Sequence, residues 1–392
     1  MRGFTNLALG ALAAAMLAGS PLAQAADGKL KIGLMVPLSG PAAVLGEQGR
    51  DGFQLAVEEL GRKLGGIEAQ VIVVDDENKP DVAVNKAKEL IERDQVDMVV
   101  GTTFSNVLMA IVKPVTEAGK ILISPNAGPS ALAGKGCSKN FFSISYQNDQ
   151  VHQVLGQYAQ EKGFKKVALL APNYQAGKDS LAGFKRSYKG EVVTELYSQL
   201  GQVDFSAELA QIAAAAPDAV FTFMPGGMGV NLVKQYRQAG LAETPFLSAF
   251  TVDESTLPAQ KEAALGFFGG ATWAPNMDNP QSKAFVAAYE KKYGSVPGVY
   301  AMQGYDAARL IDGAVSAVGG KADNTDALRA ALEKASFTSL RGDFKFGANH
   351  FPIQDFYLVK VAKRADGKFQ TEIEKKIFSN HADTYAKDCP MK

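Results

Sequence analysis

The residue types that most often carry out catalysis or hold metals are sparse and scattered in this chain. The histidines, His152, His350 and His381, lie far apart and lack metal-ligand spacing, so each is interpreted as a surface or hydrogen-bonded residue. The sequence has no phosphate-binding Gly-x-x-x-x-Gly-Lys-[Ser/Thr] loop and no Gly-x-Ser-x-Gly nucleophile motif. These absences predict a protein without catalytic residues, metal or cofactor.

Two short clusters have ordinary interpretations. Gly226-Gly-Met-Gly229 lacks the dinucleotide fingerprint and is expected to form a turn or to let the backbone approach a ligand. The acidic run Asp75-Asp76-Glu77 could bind a cation, but a solvated strand-to-helix loop is favoured.

The two cysteines, Cys137 and Cys389, are predicted to form a disulfide. Cys389 lies in a polar tail that has no core of its own, so a bridge would hold this tail against the body. Two unrelated buried thiols are the alternative.

Three loops combine small residues, hydroxyl groups and a following helix start. They are Pro37–Gly46, Gly101–Asn106 and Ser124–Ser130, each at the end of a predicted strand. Free backbone N–H groups at such positions suit a carboxylate or another anionic group. Ordinary capping by Ser or Asn is the alternative, but three such loops at one sheet edge favour a binding site.

Short β-branched runs alternate with amphipathic stretches and position these loops. Strands are predicted at 31–36, 69–74, 96–101, 120–124 and 141–145, then again at 166–171, 191–197, 219–224 and 245–250. The βαβ order predicts an α/β protein with two doubly wound parallel-sheet lobes, and 392 residues are enough for two domains. Helices at 281–293, 300–318 and 324–334 and strands at 342–346 and 356–361 are predicted to complete these lobes.

The first 26 residues have the pattern of a cleaved export signal. Arg2 is followed by the apolar run Leu7–Leu17 and by a small-x-small cleavage site at Ala23–Ala25. Lys+Arg and Asp+Glu both number 41, so no large basic field is available for nucleic acid or an anionic membrane. We expect a soluble monomer in the periplasm.

Several segments resemble the branched-chain amino-acid type of periplasmic binding protein, the type I solute receptors of ABC importers. They are the opening at 32–41, Gly101–Ser105, Ile123–Ala127, Phe142–Asn148 and Gly304–Asp306. The resemblance covers nearly all of the chain beyond the signal. It implies two lobes joined by three hinge crossings, closure onto a small molecule, and an inner-membrane ABC permease as partner.

The resemblance also implies lobe boundaries and a ligand site. The crossings are expected near residues 145, 275 and 351, giving an N-terminal lobe of 27–145 plus 276–350 and a C-terminal lobe of 146–275 plus 351–392. Ser105 and Ala127 match ligand contacts of the family's amino-acid receptors, whereas Gly128 replaces a threonine.

Two departures from the amino-acid receptors affect the expected ligand. Phe250 replaces the acidic partner of the ligand's ammonium, and Ala176 or Tyr174 replaces a tyrosine contact. A buried ammonium without a counter-charge is costly, so an α-amino acid is disfavoured.

The remaining candidate contacts are aromatic or apolar and are expected to stack on a flat ring. They are Phe104, Tyr146, Tyr174, Met224 and Phe250, with Trp273 packing at the hinge; a core position is the alternative for each. This pattern is similar to the branch of the family that imports aromatic acids, and the resemblance implies an aromatic carboxylate of the benzoate, phenylpropanoid or hydroxycinnamate type as the ligand. Alternatives are an aliphatic amino-acid or amide receptor, a sensor for a chemoreceptor or kinase, and an exported α/β enzyme.

Overall fold

The first lobe is built on a six-stranded sheet. The computed structural model describes residues 28–391, so the predicted signal at 1–26 lies outside the described residues. The elements are β1 (Leu30–Val36), α1 (Ala43–Glu59), β2 (Lys63–Leu64), β3 (Ile67–Asp75), α2 (Pro80–Glu92), β4 (Met98–Val100), α3 (Ser105–Glu117), β5 (Ile121–Ser124), α4 (Ser130–Ala133) and β6 (Phe141–Ser143). The strand order is β2-β3-β1-β4-β5-β6, and every pairing except β2–β3 is parallel.

The second lobe is built on an eight-stranded sheet. Its elements are α5 (Asn148–Lys162), β7 (Lys166–Pro172), α6 (Gln175–Ser187), β8 (Glu191–Ser198), α7 (Ser206–Ala214), β9 (Ala219–Thr222), α8 (Gly227–Gln238), β10 (Phe246–Ser248), α9 (Leu257–Gln260) and β11 (Phe268–Ala271). The sheet order is β12-β13-β11-β10-β9-β7-β8, with β14 paired to β13. The predicted α/β class with two parallel-sheet lobes is confirmed.

The last third of the chain serves both lobes. Its elements are α10 (Pro280–Tyr293), α11 (Val299–Ala317), α12 (Thr325–Glu333), β12 (Lys345–Phe346), β13 (Pro352–Lys363) and β14 (Phe369–His381). Helix α11 packs closely on α1, and Gly304 makes this approach possible. A Cβ atom at Gly304 would lie 2.0 Å from the carbonyl oxygen of Gly49. The order of the strands in the two sheets shows that the chain passes between the lobes after β6, after β11 and again near β12 and β13. The exact lobe boundaries at 145, 275 and 351 stay a prediction.

Three strands were absent from the sequence prediction: the two-residue β2, β11 and β14. β11 reads Phe-Gly-Gly-Ala, and paired glycines are unusual within a strand. β14 carries Glu372, Glu374, Lys375 and Lys376, yet it pairs antiparallel with β13 over most of its length. Charged side chains are typical of a sheet edge, where they discourage pairing with other chains.

The predicted disulfide between Cys137 and Cys389 is confirmed. It holds the segment after β14 against the first lobe. In this segment Tyr385 contacts the second lobe, where its hydroxyl donates to Asp149 Oδ2 at 2.9 Å and accepts from Arg186 at 3.0 Å. The bridged tail therefore contacts both lobes.

The acidic loop is less solvated than the sequence suggested. Asp76 is 1% exposed, and burial raises its pKa to about 7. Asp75 accepts backbone hydrogen bonds from Leu38 and Glu77, both at 2.8 Å. The prediction of a solvated loop is wrong for Asp76, because the turn directs its side chain inward.

Within residues 28–391, none of the helices combines the length and apolar character needed to cross a bilayer.

Candidate functional site

A cavity of about 360 Å³ lies between the two lobes. Both lobes contribute to its wall, which is formed by Leu45, Thr103, Phe104, Ser105, Asn126, Ala127, Tyr146, Asn148, His152, Tyr174, Ala176, Phe223, Pro225, Phe250 and Tyr300. Small molecules usually bind in mostly apolar clefts where a few polar groups converge, and this wall has that composition. The cavity is therefore the candidate site for a small molecule.

Helix starts converge on this cavity. Ser105 is the first residue of α3, and Tyr174 directly precedes α6, whose first turn contains Ala176. Tyr300 lies in the first turn of α11. The first N–H groups of a helix have no partner within the helix, and its dipole favours negative charge there. These ends can stabilise a carboxylate without a cationic side chain.

Aromatic rings form most of the remaining wall. The ring centroids of Tyr146 and Phe250 lie 5.3 Å apart, and those of Phe250 and Tyr300 lie 5.8 Å apart. Across the lobes, Phe104 and Tyr174 have centroids 6.3 Å apart. Such walls suit a flat aromatic ligand, because offset and edge-on ring contacts are favourable at these distances.

Phe250 has an unusual backbone. Its φ of 61° lies in the left-handed region, which is costly for a bulky side chain. The ring is only 6% exposed and packs against Tyr146, Tyr300 and His152. The surrounding packing holds the strained residue with its ring in the cavity wall.

The hydroxyl groups in the wall are neutral. Burial raises the pKa of Tyr146, Tyr174 and Tyr300. The Tyr146 hydroxyl donates to Asn126 Oδ1 at 2.8 Å, and Asn126 Nδ2 donates to the carbonyl of Thr103 at 2.7 Å. This chain of bonds fixes the ring of Tyr146 and the amide of Asn126.

No Asp, Glu, Lys or Arg side chain among the described residues lines the cavity. Burial lowers the pKa of His152 to about 3, so this wall residue is neutral near pH 7. Asp253 lies three residues beyond Phe250 but outside the wall, where its carboxyl accepts from the backbone N–H of Ser255 at 2.7 Å. Burial raises the pKa of Asp253 to about 6. The residues of the wall itself thus offer no counter-charge to an ammonium group, and the nearby Oδ2 of Asp253 is buried behind the wall without a hydrogen-bond partner.

A hydrogen-bond clasp joins the lobes beside the cavity. Ser130 in the first lobe donates its backbone N–H at 3.0 Å and its hydroxyl at 2.7 Å to Asp179 on α6. Asn148 Nδ2 also donates to Asp179 at 3.0 Å and to Ser105 Oγ at 3.1 Å. Burial raises the pKa of Asp179. Asn148 therefore links the cavity wall to the clasp.

Six of the eight predicted contacts line the cavity. They are Phe104, Ser105, Ala127, Tyr146, Tyr174 and Phe250. The remaining two, Gly128 and Met224, lie outside the wall and are corrected as follows.

Gly128 packs against the hinge backbone, where a Cβ would lie 1.9 Å from the carbonyl oxygen of Tyr146. Its N–H donates to Asn148 Oδ1 at 3.0 Å. A threonine would not fit here, which explains the glycine at this position.

Met224 faces the core of the second lobe, and its neighbour Phe223 faces the cavity. Both residues lie in the loop just beyond β9, and in this loop the side chain of Phe223 enters the cavity wall while that of Met224 enters the core. Phe221 and Phe223 both contact the ring of His152, whereas Met224 lies near Ser198.

Two other assignments can be refined. Trp273 is fully buried and donates to Ser282 Oγ at 2.8 Å, in accordance with a packing role near the hinge. Gly227 lies against Pro41 of the opposite lobe, where a Cβ would be 2.9 Å from Pro41 Cβ. The glycine run therefore allows close approach of the lobes.

Sequence reasoning missed several wall residues. Asn148 and His152 lie four residues apart on α5 and so share a helix face, a spacing that could have revealed them. Tyr300 comes from a helix far along the chain, and no local pattern places it in the wall. The interpretation of His152 as a surface or hydrogen-bonded residue is wrong, because the ring is buried in the wall and its Nδ1 has no partner.

Across residues 28–391, His, Cys, Asp and Glu form no group of three or more with the geometry to hold a metal ion.

Comparisons with known proteins agree with this architecture. Residues 29–368 match a family model described as periplasmic binding protein. A curated relative, Leu/Ile/Val-binding protein homolog 6 of Brucella melitensis biotype 1, is 31% identical over 394 residues, covering 96% of this chain and 98% of the relative.

Two solved structures are also similar. A solute-binding protein of an ABC transporter from R. palustris, in complex with benzoate, has 36% identity and a TM-score of 0.88, covering 93% of this chain and 100% of that one. Another, from Rhodopseudomonas palustris BisB5 with 3,4-dihydroxy benzoic acid, has 32% identity and a TM-score of 0.86, covering 91% and 99%. Two lobes around one small cavity define a solute-binding receptor of the type I fold. The chain belongs to the periplasmic binding protein family, within its ABC-transporter receptors.

Proposed function

We propose that this receptor captures a small aromatic carboxylate between its lobes, in the periplasm, and presents it to an inner-membrane ABC permease without catalysing a reaction. The observation that carries the proposal is a cavity between the lobes walled by aromatic side chains, with helix N-termini at its edge and no charged side chain in the described wall.

The carboxylate is assigned to the edge formed by Ser105 and Ala127. Ser105 opens α3, so its hydroxyl and the first N–H groups of that helix are available to an anion. The aromatic part then lies among Tyr146, Tyr174 and Phe250, whose rings give it stacking and edge contacts. The two similar receptors in complex with benzoate and 3,4-dihydroxy benzoic acid support an aromatic acid as the ligand.

A branched-chain amino acid is the second candidate, because the curated relative is named for leucine, isoleucine and valine. Its ammonium would need a buried partner. Asp253 is the nearest acidic residue along the chain from Phe250, but it does not line the wall, and its Oδ1 is engaged by Ser255. Its Oδ2 is buried without a partner, so Asp253 is the group that an ammonium would have to reach. An uncompensated ammonium in the cavity would be costly.

A binding screen tests the proposal. Purified protein without its first 26 residues would be titrated by calorimetry with benzoate, cinnamate, leucine and isoleucine, with cyclohexanecarboxylate and benzamide as controls. We expect binding of aromatic acids, weaker binding of cyclohexanecarboxylate because it lacks a flat ring, and weaker binding of benzamide because it lacks the charge. Binding of leucine or isoleucine in the absence of any aromatic-acid binding would refute the proposal.

A further inference from the structure

His152 differs from the other two histidines in lacking a hydrogen-bond partner at a buried nitrogen. His350 Nδ1 lies 3.1 Å from the carbonyl of Phe141, and His381 Nε2 lies 3.1 Å from Gln153 Oε1. His152 is 2% exposed, its ring borders the cavity, and its Nδ1 is buried without a partner. A buried imidazole in this state calls for an explanation.

The surroundings of His152 define which nitrogen carries the proton. The ring is edge-on to Phe221, Phe223 and Phe250, with centroids at 5.7, 5.2 and 6.3 Å. This apolar cage lowers the pKa to about 3, so the imidazole is neutral near pH 7 and bears one proton. A buried N–H without a partner is rarer than a buried acceptor without one. Nδ1 is therefore the unprotonated nitrogen, and Nε2 carries the proton.

The position of His152 along α5 sets its distance from the carboxylate edge. Asn148 Nδ2 lies 3.1 Å from Ser105 Oγ, so Asn148 marks that edge. His152 follows four residues later on the same helix face, about 6 Å further along the axis. That displacement is close to the length of one aromatic ring with a substituent.

We propose that His152 determines specificity by donating its Nε2–H to a hydroxyl oxygen on the ring of the ligand, at the position opposite the carboxylate. This inference rests on the proposed function and narrows the cargo to ring-hydroxylated aromatic acids. An unsubstituted ring would leave the buried N–H unpaired. Sites built to bond a hydroxyl reject analogues that lack it.

The test compares matched ligands on matched proteins. Calorimetry would measure the dissociation constants of benzoate and of 2-, 3- and 4-hydroxybenzoate for the unaltered protein and for His152→Phe, which keeps a ring of similar size and removes the donor. The control is His381→Phe, because His381 lies outside the cavity wall. We expect the unaltered protein and the control to favour 4-hydroxybenzoate over benzoate by about tenfold. His152→Phe should bring this ratio close to one while still binding benzoate.

Each outcome supports or overturns the inference. Equal affinity of the unaltered protein for benzoate and 4-hydroxybenzoate, or tighter binding of the 2- or 3-isomer, would overturn it, and this comparison needs no variant. An unchanged ratio in His152→Phe would overturn it as well. If His152→Phe does not fold, His152→Gln retains an N–H donor and should keep a preference for 4-hydroxybenzoate; loss of that preference counts against the inference. Absence of binding by every aromatic acid would instead refute the proposed function.

Discussion

Removal of the Asp179 carboxylate should weaken ligand binding although Asp179 does not line the cavity. Asp179 accepts two hydrogen bonds from Ser130 across the lobes. We expect these bonds to form only when the lobes come together, and they would then add to the affinity of any ligand whose capture requires closure. Hydrogen bonds to a charged group contribute about 1.5–3 kcal/mol each, but burying the carboxylate offsets part of this gain, as its raised pKa indicates.

A net contribution of about 2 kcal/mol corresponds to about a 30-fold higher dissociation constant for Asp179→Ala. Ser130→Ala, which removes the hydroxyl and keeps the backbone donor, should have a smaller effect. The matched control is Lys178→Ala, an exposed position on the same helix. Calorimetry would give the dissociation constants, and stopped-flow fluorescence would give the dissociation rates. If Asp179→Ala binds within twofold of Lys178→Ala, the clasp does not contribute to closure.

Three further predictions concern the wall, the disulfide and a buried carboxyl. Phe250→Ala should weaken an aromatic acid by roughly tenfold or more, whereas exposed Tyr197→Ala should not; equal calorimetric affinities would remove Phe250 from the site. The double change Cys137→Ser and Cys389→Ser opens a link of 252 residues and should lower the free energy of unfolding by about 5 kcal/mol in denaturant titrations; free thiols in the unfolded, unreduced parent protein would contradict the bridge. Burial raises the pKa of Glu254 from 4.5 to about 7, so its contribution to stability is present below pH 4.5 and is lost as the pH rises through 7. Denaturation at pH 5 and pH 8 should show this loss, and Glu254→Gln should reduce it; an equal pH dependence in the variant would contradict the assignment.

The lobes and the first-lobe part of the site could be predicted because their signals are local. Strands buried on both faces read as continuous apolar runs, and the loops that follow β4 and β5 contain Ser105 and Ala127 next to helix starts. The part of the site that belongs to the second lobe was harder to predict from the sequence. Phe223 and Met224 follow β9 in a loop, and which of them meets the cavity depends on how this loop packs against α5 and the core of the second lobe.

Other features depend on long-range packing and carry little local signal. Tyr300 reaches the cavity because α11 packs on α1, more than 200 positions earlier in the chain. Strand β14 looks polar because it lies at an edge and pairs with only one strand. The neutrality of His152 arises from aromatic residues of β9 and the following loops, which no spacing rule brings together.

The shared position of Asn148 has a kinetic consequence. Its side chain holds Ser105 in the cavity wall and Asp179 in the clasp at the same time. We expect a ligand to leave only after the bonds of Asp179 with Ser130 and Asn148 have broken, although the ligand makes none of these bonds. The clasp should therefore lengthen the residence time of every ligand by the same factor. Substitutions at the clasp should consequently change how fast ligands are released. They should leave the order of ligand affinities unaltered, because the aromatic side chains of the cavity wall determine that order.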